Sequence, residues 1–146
     1  MNGTVVYFDK LFIEATGLII DARDYAKYYY YQGCDEMSAP QMLQFISEST
    51  RMTSRLLIAM SWIMQQRSVA RGVKVRAQKQ DINNIMQSCI DTNDVRSADI
   101  LFMPSAFCTL VERSNNLFLR VKRLHNSLRQ KKDIIYYFRK DKTTVL

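Results

Sequence analysis

Apolar residues recur at intervals of three and four positions along three long stretches of the chain. This spacing places them on one face of an α-helix and predicts three amphipathic helices. The predicted bounds are Tyr7–Tyr31, Ser38–Ala70 and Pro104–Lys131. Ser38 is a candidate N-cap of the second helix, with Pro40 in its first turn. Gly33 and Gly72 are candidate C-caps of the first and second helices.

Two further segments lack this clear pattern. Residues 73–103 show weak periodicity and clusters of Asn, Asp and Ser, which indicates a long flexible connection with a short helix over Lys79–Cys89. Charges interrupt every helical face of residues 132–146, which indicates a flexible C-terminal tail. We therefore predict an all-α fold, an antiparallel three-helix bundle domain over residues 1–131 with a long central helix.

The second predicted helix carries two distinct stripes. At 100° per residue, the apolar stripe contains Met42, Phe45, Ser49, Leu56, Met60 and Ile63. The second stripe lies about 115° away and contains Glu48, Arg51, Arg55, Ala59, Trp62 and Gln66. Trp and Arg are enriched at interface hot spots, so the second stripe is a candidate protein-binding surface. Alternatively, Glu48 pairs with Arg51 in water and Trp62 covers a helix crossing.

Four consecutive tyrosines, residues 28–31, end the first predicted helix. Consecutive helical residues point in four directions, so they cannot all face one core. Tyr29 continues the apolar stripe of the first helix. Tyr28, Tyr30 and Tyr31 therefore form either a frayed aromatic helix end or a patch for a dimer or another partner.

The net charge of +7 is unevenly distributed along the sequence. Residues 1–50 contain three basic and seven acidic side chains, whereas residues 101–146 contain ten basic and three acidic ones. Arg113, Arg120 and Arg123 share one side of the last helix, where they could contact nucleic-acid phosphates. Alternatively, the acidic first helix, with Glu14, Asp21 and Asp24, neutralises these arginines inside the bundle. No helix-turn-helix pattern supports the nucleic-acid alternative.

The residue types needed for catalysis are scarce. The sequence contains one histidine, His125, and a lone helical histidine is usually structural. No glycine-rich phosphate loop, HExxH or GxSxG motif occurs. No helical spacing of His, Cys and carboxylates suggests a metal site. We therefore expect a protein that is not an enzyme and binds no cofactor.

The cysteines and the N-terminus indicate a cytoplasmic protein. Cys34, Cys89 and Cys108 are far apart and odd in number, a pattern typical of reduced thiols rather than of disulfides. The first residues lack the basic and apolar regions of a secretory signal. No run of about 18 uncharged apolar residues is available to span a membrane.

Two stretches of the sequence resemble the alphaproteobacterial family called regulator of CtrA degradation, formerly a domain of unknown function. The first stretch, in the second predicted helix, matches at Glu48, Ser49, Arg51, Thr53, Arg55, Leu56, Ser61, Trp62, Gln66, Arg67 and Val69. The second, in the last predicted helix, matches at Pro104, Glu112, Arg113, Ser114, Leu117, Arg120, Val121, Arg123 and Leu124. Together they cover about a third of the chain, and the chain is identified as a divergent member.

The resemblance implies a three-helix bundle that forms a homodimer and has a flexible C-terminal tail. It also implies an adaptor that delivers regulatory proteins to the ClpXP protease in cell-cycle regulation. The candidate protein-binding residues are Glu48, Arg51, Arg55, Trp62, Gln66, Arg113, Arg120 and Arg123. The runner-up is a basic helical protein that binds nucleic acid or has a structural role.

Overall fold

The computed structural model describes residues 3–32, 37–73, 84–86 and 103–143, and side chains for these residues except 29–32 and 132–143. This described part forms three long helices, α1 (Gly3–Gln32), α2 (Ala39–Ala70) and α3 (Ser105–Thr143). It contains no strand. The predicted all-α helix bundle is thus confirmed.

Both ends of α2 follow the local chemistry predicted from the sequence. Ser38 has an extended backbone, and its N–H donates to the side-chain oxygen of Gln41 at 3.1 Å. Pro40 occupies the first turn, where a missing N–H costs no hydrogen bond. At the other end, Gly72 has a positive φ of 81°, and its N–H donates to the carbonyl of Val69 at 3.0 Å. Glycine adopts this conformation without the clash of a Cβ, so the helix stops there.

The other helix bounds differ from the prediction in two places. α1 begins at Gly3, one turn before the predicted start at Tyr7. α3 continues to Thr143, well past the predicted end at Lys131. The side chains beyond Lys131 lie outside the description, so the predicted flexibility of residues 132–146 stays a prediction.

Most of the predicted connection, residues 74–102, lies outside the described residues. Within it, residues 84–86 are helical and fall inside the predicted short helix Lys79–Cys89, whose remainder is not described. Met86 in this short piece is fully buried. The connection therefore contributes at least one side chain to the core.

The contacts between helices correct the predicted direction of one pair. Tyr25 of α1 contacts Phe107, near the start of α3, and Asp21 pairs with Arg113, so α1 and α3 are antiparallel. By contrast, Phe45 and Trp62 of α2 meet Phe107 and His125 of α3 in the same order. Thus α2 and α3 run parallel. A parallel neighbour requires a connection that returns along the bundle, which explains the long segment between these helices.

Trp62 lies at the centre of the core and touches both other helices. Its indole is fully buried. The ring centroid lies 6.1 Å from that of Phe8 in α1 and 6.3 Å from that of His125 in α3, both in edge-on geometry. The indole N–H donates to Nδ1 of His125 at 3.2 Å. A buried indole needs such an acceptor, so His125 has the structural role that the sequence predicted.

The buried face of α2 lies between the two predicted stripes. It contains Glu48, Met52, Leu56, Ala59, Trp62, Ile63 and Gln65. Met42, Phe45 and Met60 of the predicted core stripe are only half-buried. Because α2 packs against two helices, its buried arc is wider than one stripe and includes residues that we assigned to a contact surface.

Among the residues described, no helix combines the length and the apolar character needed to span a bilayer.

Truncating Trp62 tests its central position. We expect Trp62→Ala to lower the free energy of unfolding by about 3–5 kcal/mol, the usual cost of deleting a large buried aromatic. Trp62→Phe keeps a ring but removes the N–H donated to His125, and should cost about 1–3 kcal/mol. Leu119→Ala, at an exposed leucine of α3, is the control and should cost under about 0.5 kcal/mol. Urea melts measure all three, and a loss under about 1 kcal/mol for Trp62→Ala would contradict the burial.

Candidate protein-binding surface

The structure divides the predicted second stripe of α2 between the core and the surface. Glu48, Ala59 and Trp62 are buried, whereas Arg55 and Gln66 are half-buried. Arg51 is exposed. The prediction that these residues form one contact surface is therefore wrong for Trp62, whose ring is enclosed by α1 and α3 and cannot meet a partner.

The predicted pair of Glu48 with Arg51 is present. A guanidinium nitrogen of Arg51 lies 3.0 Å from the Glu48 carboxylate, one helical turn earlier. Unlike the predicted solvated pair, it joins an exposed arginine to a buried carboxylate. A buried carboxylate without a partner is costly. The pair with Arg51 therefore stabilises the folded chain.

Acidic side chains of α1 pair with the basic residues that we considered for phosphate binding. Arg113 of α3 donates to Asp21 at 3.1 Å, and Arg120 of α3 donates to Glu14. Arg123 is exposed, with its Nε 3.4 Å from the carbonyl of Leu119. Two of the three arginines thus follow the alternative prediction, in which the acidic first helix neutralises them.

A further charged cluster, which the sequence analysis did not find, joins the start of α1 to the end of α2. Asp9 accepts from Arg67 at 2.6 Å and from Arg71 at 2.9 and 3.1 Å. The Arg67 guanidinium also lies 4.3 Å from the ring centre of Phe12. The hydrogen bond from Arg67 is the main reason that the pKa of Asp9 lies below its ordinary value, with Arg71 adding to it and desolvation opposing it.

Tyr28, at the end of α1, is 59% exposed and so remains available to a partner. The side chains of Tyr30 and Tyr31 lie outside the described residues, and the predicted patch that includes them stays a prediction.

An apolar groove between α1 and α2 is a surface feature that the sequence analysis missed. Its volume is about 530 Å³. Representative lining residues are Ile19, Ala22, Phe45, Ile46, Leu57 and Phe107. Arg23, paired with Asp24, is the one charged side chain in the lining described here. Such a groove has the chemistry of a docking site for apolar groups.

One sequence signal could have revealed this groove. The wall contributed by α2 includes Ile46, Thr50, Thr53 and Leu57, which are uncharged and follow one another at intervals of four, three and four. This spacing defines a helical face. Two threonines interrupt its apolar character, so the more apolar neighbouring face was assigned to the core instead.

Within the described ranges, no three His, Cys, Asp or Glu residues lie close enough together to hold a metal ion.

Exchanging the charges of one ion pair tests the contact between α1 and α3. Glu14 and Arg120 are both partly exposed, so we expect Glu14→Lys and Arg120→Glu each to cost about 1 kcal/mol or less of unfolding free energy. The double variant restores opposite charges and should recover most of that loss. Urea melts at low salt measure the coupling, and additive losses in the double variant would show that the two side chains do not interact.

Removing the Asp9 carboxylate tests the charged cluster through pH. A lowered pKa in the folded chain means that ionised Asp9 stabilises the fold above its ordinary pKa. This contribution is lost as the pH falls through the lowered pKa. We expect Asp9→Asn to be less stable than the wild type at neutral pH, with the difference shrinking in acid. Urea melts across that range measure it, and a difference independent of pH would rule out a contribution from the charge.

Comparisons with known proteins agree with this architecture. Residues 4–140 match the family described as "Protein of unknown function (DUF1465)". No curated protein matches the sequence. Among solved structures, that of RcdA from Caulobacter crescentus CB15 is similar, with 26% sequence identity and a TM-score of 0.57. The match covers 80% of this chain and 86% of that chain.

The family match spans nearly the whole described bundle, and the similarity to RcdA covers most of both chains. The resemblance predicted from two short stretches is therefore confirmed over most of the chain. The chain belongs to the family of proteins of unknown function DUF1465, and it is a divergent relative of RcdA, the regulator of CtrA degradation.

Proposed function

We propose that this chain is a non-enzymatic cytoplasmic adaptor that forms a homodimer and delivers regulatory proteins to the ClpXP protease in cell-cycle regulation. The observation that carries the proposal is the similarity to RcdA over most of both chains. That similarity extends beyond two sequence stretches to the arrangement of the bundle. An adaptor of this kind needs binding surfaces and no reacting groups.

The described surface has the chemistry that protein binding requires. The groove between α1 and α2 is apolar, and its lining includes the exposed apolar residues Ile46 and Leu57. Contiguous apolar surface on a helix bundle is typical of protein contact sites. The ion pairs of Arg113 and Arg120 with α1 support the adaptor over the nucleic-acid alternative, because they reduce the charge available to phosphates.

The end of α3 is the segment that we assign to cargo capture. Trp62 of α2 and His125 of α3 lie side by side on parallel helices. Counting the same number of residues onward along both helices, the end of α2 at Ala70 lies level with about residue 133 of α3. α3 then continues to Thr143, about 15 Å farther at 1.5 Å per residue. The sequence of this extension includes Ile134, Ile135 and Phe138, which suits an apolar contact.

Reconstitution with purified ClpXP tests the adaptor function. We expect the full chain to shorten the half-life of at least one cell-cycle regulatory protein of its host several-fold, without itself being degraded at the same rate. The chain lacking residues 133–146 should keep its melting temperature within about 2 °C, since the deleted part lies beyond the end of α2, and should lose most cargo capture. Cargo half-life and melting temperature are the two measurements.

Two results would contradict the proposal. If no host regulatory protein changes its half-life when the chain is added or its gene is removed, the chain is not an adaptor for ClpXP. If the chain instead retains DNA or RNA at low salt and releases it at moderate salt, phosphate contacts dominate and the nucleic-acid alternative holds. Cargo capture through apolar contacts should change little over the same range of salt.

A further inference from the structure

Small side chains on two neighbouring helices create the apolar groove between α1 and α2. Ala22 and Ala26 are one helical turn apart on α1, and both line the groove. Ser49 and Thr53, also one turn apart, line it from α2. Because α1 and α2 are antiparallel, these four residues face one another at the same level. None of them is large enough to fill the space between the two helices.

The opposite end of the same helix pair is filled by large side chains. Phe8 of α1 meets Trp62 of α2 with ring centroids 6.1 Å apart. The ring of Phe12 lies 4.3 Å below the guanidinium of Arg67. The groove is therefore a local feature of residues 19–26 and 42–57, set by their small side chains, and is not a consequence of loose packing along the whole pair.

The groove has the size, the shape and the lining of a small-molecule site. Its volume of about 530 Å³ lies within the usual range for such sites. The wall formed by α2 extends from Met42 to Leu57, about 22 Å at 1.5 Å per residue, so the groove is an elongated slot. Phe107 of α3 lines it from below, with its ring centroid 4.7 Å from that of Phe45 and 5.7 Å from that of Tyr25.

The hydroxyl groups of two lining threonines are already bonded within α2. Thr50 donates to the carbonyl of Ile46, and Thr53 donates to that of Ser49, each at 2.8 Å. These donors lose no partner when water leaves the groove, so the desolvation penalty of covering them is small. Ile46 is 54% exposed and Leu57 57% exposed at the mouth of the slot. The lining therefore favours a hydrocarbon chain over a polar molecule.

The charge at the groove is complementary to an anion. Arg23 is the one charged side chain in the described lining. Its pair with Asp24 joins adjacent residues that are both 58% exposed, and such a pair is weak enough to exchange for another partner. Met42 and Phe107 lie in the first turns of α2 and α3, whose N-termini carry partial positive charge. The C-terminus of α1 at this end offsets only one of these two N-termini.

We propose that the groove binds a free fatty acid, with its hydrocarbon chain between α1 and α2 and its carboxylate at Arg23. A linear chain matches the elongated apolar slot, and a single negative charge matches the single cation of the lining. The inference goes beyond the adaptor function and does not depend on it, because binding is measured on the chain alone.

Isothermal titration calorimetry of the full chain tests the class of ligand. The probes are octanoate, decanoate and dodecanoate, each below the concentration at which it forms micelles. We expect the affinity to rise about fourfold for each added methylene, as burial of a hydrocarbon chain requires. Dodecyltrimethylammonium has the same chain with a positive head group and should bind at least fivefold more weakly than dodecanoate. No binding of dodecanoate, or equal affinity for both head groups, would overturn the proposal.

Removing the arginine tests the position of the carboxylate. Arg23→Gln should weaken dodecanoate binding about threefold, the size of effect expected for a partly exposed ion pair, and should leave dodecanol binding unchanged. Arg123→Gln removes the same charge at an exposed arginine of α3 outside the groove and is the matched control. Equal losses in the two variants would show that net charge attracts the ligand, which refutes a head-group contact at Arg23.

Filling the groove tests the position of the chain. Thr53→Phe places a ring in the slot and should weaken dodecanoate binding at least tenfold. Thr109→Phe is the matched control, since Thr109 of α3 is also exposed, also donates to a carbonyl four residues earlier and lies outside the groove. Ala26→Leu obstructs the slot from α1 at a second exposed position and should also weaken binding. Circular dichroism verifies that all three variants remain folded.

Thermal melts provide a second measurement of the same binding. Dodecanoate at ten times its dissociation constant should raise the melting temperature of the wild type by about 3–6 °C and that of Thr53→Phe by much less. Equal increases in both would place the ligand outside the groove and refute the site.

The outcomes separate this inference from the adaptor function. If the chain binds no dodecanoate and Thr53→Phe loses cargo capture, the groove receives an apolar side chain of a partner protein. That result overturns the inference and leaves the adaptor function in place. If dodecanoate binds as expected and no host regulatory protein changes its half-life, the adaptor function fails and the fatty-acid site stands.

Discussion

Burial of the Trp62 indole between α1 and α3 is the contact on which the rest of the bundle depends. One side chain touches Phe8 on one neighbour and His125 on the other, so it limits the distance and the rotation of both helices. The indole N–H can donate and cannot accept, so a buried Trp62 needs an acceptor at one position of α3. Nδ1 of His125 supplies it at 3.2 Å and thereby sets the register of the parallel pair.

The charged contacts follow from this register. Once α3 is fixed against α2, its arginines Arg113 and Arg120 come level with Asp21 and Glu14 of the antiparallel α1. The surplus of acidic residues near the start of the chain and of basic residues near its end therefore acts inside one bundle. The apolar groove between α1 and α2 lies apart from these ion pairs and remains open to other molecules. That surface suits protein contacts better than phosphate contacts.

The sequence predicted the class of fold well, because helix ends and apolar spacing are local properties. Ser38, Pro40 and Gly72 act at α2 as their chemistry requires. The two-stripe interpretation failed at Trp62 because spacing gives the angle between residues and not the number of neighbouring helices. The direction of α3 relative to α2 also could not be predicted from either helix, because it depends on the path of the segment that connects them. The groove needs two helices side by side, and neither helix alone reveals it.

Because α2 and α3 are parallel, the bundle also has a net electric dipole along its long axis. Aligned peptide dipoles leave about half a positive charge at each helix N-terminus and half a negative charge at each C-terminus. The end where Ser38 and Pro104 begin their helices therefore has two N-termini and the C-terminus of α1. Three helices cannot cancel this asymmetry within one chain. The end with two helix N-termini therefore attracts negatively charged groups more strongly than the opposite end, where α2 and α3 have their C-termini.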